Sequence, residues 1–338
     1  MNPQETTPVV PLNKIEGAGA LLKSGWSLFT KHWMVLVPIV IVPTIVSDIG
    51  VLIGRTGIQG SGIISIICAI AGGVLSVAMS VALVNAVHRL STDPTAPISL
   101  GGQYKIGFSF FWTYVVVCII ATLATIGSTA LLLIPGLIVG VYVCMYVYTI
   151  VLDGKKGFTA ITESYALIYR RWGTVFGNLF AIGLVIGLCG AAFGLISYLI
   201  GHSLGLSIVG IGAARSVTPV VQPLSAVIYA LVINLIGTAV ATPIAVGCVY
   251  RMYVSLKATR QADVVTSGFK KWVIAAMVIG VPALIVSFTF FIVVAANQSM
   301  RSADGIQRNM PVYRPGMTAD DYLREINARG TTTVPQNY

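Results

Sequence analysis

Any chemistry in this chain has to come from very few side chains. Asp48 is the one carboxylate inside a long apolar run, and intramembrane carboxylates are costly enough that they often mark ion or proton pathways. The plainer reading is positional. Asp48 lies about 15 residues beyond Trp33, roughly 22 Å along a helix, which lets it reach outer headgroups or pair with nearby Arg55. Asn85, Asn178 and Asn234 lie in or beside apolar runs. Such amides can line a polar cavity or tie helices together, each bond contributing about 1 kcal/mol. His32, His88 and His202 are far apart, and none neighbours a carboxylate cluster. Cys68, Cys118, Cys144, Cys189 and Cys248 fall in five different runs without C-x-x-C spacing. Disulfide and zinc readings fail, leaving small buried hydrophobes. With no H-E-x-x-H or comparable motif, the expectation is no catalytic residue, no metal and no cofactor.

The elements that must position these residues are set by composition. Hydrophobic residues make up 56% of the 338 positions and charged residues 9%. Soluble domains carry about 25% charge, so lipid must surround most of this chain. A spanning helix takes about 20 apolar residues, and seven runs qualify, approximately 33–53, 62–87, 108–133, 136–152, 174–200, 224–249 and 272–296. The third and fourth share an uncharged stretch from Ile106 to Leu152, too long to cross once, so a hairpin is expected at Pro135-Gly136. The fold class is therefore all-α, a polytopic helical membrane protein.

Residues 1–13 are polar and Pro-rich and read as disordered, without a cleavable signal; 14–300 form the membrane domain and 301–338 a polar tail. Asn13 and Glu16 suggest a capping box opening a helix whose Ile15, Ala18, Leu22, Trp26, Phe29 and Trp33 share one face. That suits an interfacial helix or one packed on protein. Loop 201–223 is glycine-rich and apolar, fitting a re-entrant segment or an extracellular cap. In the tail, Thr318 and Asp321 suggest a second capping box ahead of a short helix.

Alternate loops carry fourteen Lys and Arg against two. The basic side is expected in the cytoplasm, with the amino terminus inside and the carboxyl tail outside. All five tryptophans, Trp26, Trp33, Trp112, Trp172 and Trp272, fall at that same boundary, where the indole keeps an apolar ring and a wet N–H. The basic residues thus sit in topology-setting loops, and nucleic acid is not an expected partner.

A repeat runs through this pattern. Phe29-Thr30-Lys31-His32-Trp33, Tyr169-Arg170-Arg171-Trp172 and Phe269-Lys270-Lys271-Trp272 each place basic residues before a tryptophan at the start of a span. The unit reads as an amphipathic interfacial helix followed by two membrane helices, repeated about three times with one extra span. These collars, with Lys31, Trp33, Arg170, Arg171, Trp172, Lys270, Lys271 and Trp272, suit anionic headgroups; alternatively they only fix topology.

The hairpin Leu131-Leu132-Leu133-Ile134-Pro135-Gly136, the turn Val151-Leu152-Asp153-Gly154-Lys155-Lys156-Gly157 and the amphipathic Ala160 to Val175 resemble a bacterial family. It is the membrane domain of glycerophosphoryl diester phosphodiesterase and its YciC-like inner-membrane relatives. Leu21 to Trp33 looks like that family's opening helix, and the resemblance covers about residues 14–255. It implies an inner-membrane domain and no esterase, because the phosphodiesterase barrel is a separate domain absent here. The seventh run and the tail depart from the family pattern.

The expected function is a non-enzymatic multi-pass membrane protein that engages lipid, anionic lipid in particular, or an assembly partner, another membrane protein or a second copy. The alternative is a small transporter or channel for a lipid-like or small organic solute, using Asp48 and the amides. An intramembrane enzyme ranks third.

Overall fold

The computed structural model describes residues 15–55, 61–95, 97–204, 224–260, 264 and 266–309. Asn13, loop 205–223 and the Thr318–Asp321 motif lie outside the described residues. The chain divides into two compact units. One comprises Met1–Ile208 with Gln222–Leu284; the other comprises Val209–Val221 with Ile285–Tyr338, described only where its last helix continues.

Ten helices follow in order, and no strand occurs among the described residues: α1 Ala18–Arg55, α2 Ser61–Thr92, α3 Leu100–Ser109, α4 Phe111–Leu131, α5 Leu133–Val143, α6 Tyr146–Asp153, α7 Phe158–Ile168, α8 Trp172–Ser203, α9 Leu224–Ala258 and α10 Ser267–Asn309. Seven segments among them are long and apolar enough to cross a membrane, with α5 and α6 together forming the fourth. This is a multi-pass, all-α membrane protein.

The first span and the helix before it are continuous, joined by a kink at His32, whose φ of −127° and ψ of 22° leave the helical region. The helix starts at Ala18, with the Ala20 and Leu21 amides donating to the Gly17 carbonyl. Glu16 lies before the helix and turns to Arg251. Before the kink, Leu21 is fully buried and Gly25 faces α9. A Cβ on Gly25 would stand 2.8 Å from the Ile244 carbonyl oxygen and 2.5 Å from Cys248 Sγ, so only hydrogen permits this approach. After the kink, Gly50 meets Cys68 and Gly72 meets Ser47, drawing α1 and α2 together as antiparallel neighbours.

The expected bend at Pro135-Gly136 falls earlier, at Leu132, whose φ of −163° and ψ of 149° are extended. Pro135 sits in the first turn of α5 instead, where its missing N–H would have had no helical partner anyway. Gly136 lets Thr129 of α4 pack against its backbone. The G-x-x-x-G pairs of α8 do not serve close packing in this way, since a Cβ on Gly183, Gly187, Gly190 or Gly194 would meet open space.

The fourth span is discontinuous. Its helix breaks at Cys144-Met145, and lipid offers no partner for freed backbone groups. Ser164 of α7 supplies both. Its Oγ accepts from the Met145 N–H at 3.2 Å and donates to the Tyr142 carbonyl at 2.7 Å. Thr149 on α6 likewise donates to the Ala160 carbonyl at 3.0 Å. Helix α7 therefore runs back along the fourth span, with Ile161 and Ile168 fully buried. Gly157 opens that return at φ 53° and ψ −135°, which needs glycine.

Candidate functional site

The last turns of α9 and the two residues after it gather partners from five other segments. Arg251 pairs with Glu16 at 3.0 Å. Lys257 pairs with Asp153 at the end of α6, and the Tyr253 hydroxyl donates to the other oxygen of that carboxylate at 2.6 Å. Arg260 pairs with Glu163 of α7 at 2.6 Å. Arg171 reaches back to the Thr259 hydroxyl and carbonyl. Tyr250 meets His88 Nδ1 of α2 at 3.0 Å. The lysine and arginine heads are half-exposed while the carboxylates are largely covered, so each pair contributes little beyond about 0–1 kcal/mol. Their effect is to fix α1, α2, α6, α7 and α8 against one helix end.

Between α2, α6 and α9 this end opens into a recess of about 340 Å³. Leu152, Val254, Ala258 and the Tyr250 and Tyr253 rings supply its walls, with His88 and Lys257 as the polar groups. The Tyr253 ring stacks on Tyr148 at 5.5 Å and the two are nearly fully buried, which makes that wall rigid. The Lys257 ammonium lies 5.8 Å from the Tyr253 ring centroid.

The collar residues take different places. Lys31 and Lys271 are exposed. Arg170 adopts a left-handed φ of 61°, with its guanidinium 5.6 Å from the Tyr169 ring, and Lys270 lies 5.9 Å from the Phe158 ring. Arg171 is engaged by Thr259 as above. Trp33 is about half exposed, at 49%. Trp172 instead donates its indole N–H to the Ile138 carbonyl at 3.3 Å and stacks on Phe176. Trp272 is partly buried in the cluster of Val117, Ala124, Ile161 and Val273.

Of the intramembrane polar residues only Asp48 and Asn234 come together; Asn85 and Asn178 go elsewhere. Asn85 donates to the buried Gln103 side chain at 2.8 Å, linking α2 to α3. Asn178 donates to the Glu16 carbonyl at 2.9 Å, linking α8 to the segment before α1. Asn234 lies beside Asp48, which lines an apolar recess of about 170 Å³ between α1 and α9 with Ile45, Leu52, Leu231 and Leu235. Among the described residues no three His, Cys, Asp or Glu side chains gather as a metal site. The groups that sequence reasoning missed are Glu16, His88, Asp153, Glu163, Tyr250, Tyr253 and the basic residues of α9. Their only signal was the alternation of charge and aromatic along Tyr250-Arg251-Met252-Tyr253 and Lys257.

Comparison with known proteins settles no family. No family model, curated protein or solved structure matches this chain.

Proposed function

We propose that this chain is a non-enzymatic inner-membrane protein, with its amino terminus in the cytoplasm, that holds anionic lipid headgroups at its basic end. It is akin to the membrane domain of glycerophosphoryl diester phosphodiesterase. One observation carries this reading. The carboxylates Glu16, Asp153 and Glu163 are each matched to a cation in α9 or just after it. Lys23, Lys31, Lys105, Lys155, Lys156 and Lys271 have no carboxylate partner among the described residues. Each unpaired charge near an anionic surface is worth about 1 kcal/mol. The test replaces Lys155, Lys156, Lys270 and Lys271 by Gln in the full chain. Phosphatidylglycerol retained per protein is then counted after purification from vesicles of one part phosphatidylglycerol to four parts phosphatidylcholine. Retention should fall severalfold, and unchanged retention removes the reading.

The transporter reading keeps one observation in its favour, the Asp48–Asn234 pair beside a recess in the span. Solute flux that survives Asp48→Asn would end it.

A further inference from the structure

We propose that the recess between α2, α6 and α9 is a single-headgroup site for the phosphodiester of an anionic glycerolipid. This rests on the reading of the basic end given above and goes further: it predicts one saturable site rather than a diffuse attraction. The geometry supports an anion. Both oxygens of Asp153 are occupied, one by the Tyr253 hydroxyl and the other by Lys257. An ammonium carries three donors, so Lys257 keeps two for a ligand, and its side chain is 52% exposed. His88, whose Nδ1 meets the Tyr250 hydroxyl, is the second polar side chain lining the recess. Lys155 and Lys156 follow closely in sequence on the lining residue of α6 and have no carboxylate partner in ion-pair range among the described residues.

The rest of the lining excludes a bare, fully hydrated ion. Leu152, Val254, Ala258 and two tyrosine rings are apolar, and a small ligand pocket typically combines such walls with a few fixed polar groups. A volume of about 340 Å³ equals roughly eleven waters at about 30 Å³ each. That accommodates a phosphate with its glycerol carbons and is too small for acyl chains. The chains would continue along the apolar flanks of the bundle, whose large side chains are exposed throughout.

The experiment measures binding of dioctanoyl phosphatidylglycerol to the full chain in detergent by native mass spectrometry. Dioctanoyl phosphatidylcholine and glycerol 3-phosphate serve as the other two probes. One equivalent of the phosphatidylglycerol should bind saturably, at least tenfold more tightly than either. His88→Ala should weaken it at least tenfold. Ala258→Phe should do the same while leaving every charge in place; Ala258 is exposed on α9, so this variant fills the recess without disturbing the core. Phosphatidylcholine binding equally well overturns the anion assignment. Glycerol 3-phosphate binding as tightly as the lipid assigns the site to a soluble phosphate and overturns the lipid source. Unchanged affinity in Ala258→Phe overturns the location. The broader reading fails separately, when the four-lysine replacement leaves total phosphatidylglycerol retention unchanged.

Discussion

Replacing Ser164 by Ala removes one oxygen and strands two backbone groups. In the native chain the Ser164 hydroxyl accepts from the Met145 amide and donates to the Tyr142 carbonyl, while Ser164 and Met145 are fully buried. An orphaned buried amide costs about 1–3 kcal/mol. The carbonyl keeps a second lone pair, so its loss is nearer the about 0.6 kcal/mol typical of side-chain bonds between membrane helices. The sum is about 1.6–3.6 kcal/mol, above that average, because the break lies at the fully buried Met145. Unfolding by sodium dodecyl sulfate in mixed micelles, followed by tryptophan fluorescence, measures it. Ser91→Ala is the control: that exposed hydroxyl donates back to the Val87 carbonyl one turn earlier, and its loss should cost under about 0.5 kcal/mol. A Ser164→Ala change no larger than the Ser91→Ala change would refute the account of how the broken span is stabilised.

Other expectations follow from the same contacts. Gly25→Val should part the start of α1 from α9 and lower the thermal midpoint by several degrees, read by fluorescence-detected size exclusion on heating, whereas Gly187→Val should leave it unchanged. Burial pushes the Tyr104 hydroxyl up to about 12 from its usual 10. Its protonated form therefore favours the folded state, a contribution fully present below pH 10 and lost as pH rises towards 12. The difference in unfolding midpoint between native chain and Tyr104→Phe should shrink across that window. Asp93 accepts from the Thr95 amide and hydroxyl, which holds its carboxyl below the usual range. The Thr95 amide should lose its protection relative to the intrinsic exchange rate as pH falls through the acidic range, read by hydrogen exchange at a series of pH values.

The spans were legible because hydrophobicity over 20 residues is a local property, readable without neighbours. The kink at His32 coincides with the boundary between amphipathic and uniformly apolar sequence for the same reason. What failed was local grammar overridden by contact. Pro135 looked like the bend, yet the first turn of a helix tolerates proline and Leu132 bends instead. Nothing in Tyr142-Val143-Cys144-Met145-Tyr146 announces a break, since it contains neither proline nor glycine; the serine that sustains it lies 19 residues on. The α8 glycines stand at G-x-x-x-G spacing yet meet open space, whereas Gly136, at that spacing from Gly140, does admit a neighbouring helix, as do Gly25, Gly50 and Gly72 outside the pattern. The polar cluster on α9 was invisible for a related reason. Its acids come from positions separated by 97 to 235 residues, and charge counts record only the sign of a loop.

The join between Glu16 and Arg251 also orders events while the chain is being made. Those residues are 235 positions apart, which at about 5–20 residues per second is a delay of roughly 10–50 s between the emergence of one and the other. For that interval the leading helix has no ninth helix to cover Leu21 and Gly25, and must wait at the translocon or beneath a chaperone. A segment made early is thus fastened only when α9 has followed it.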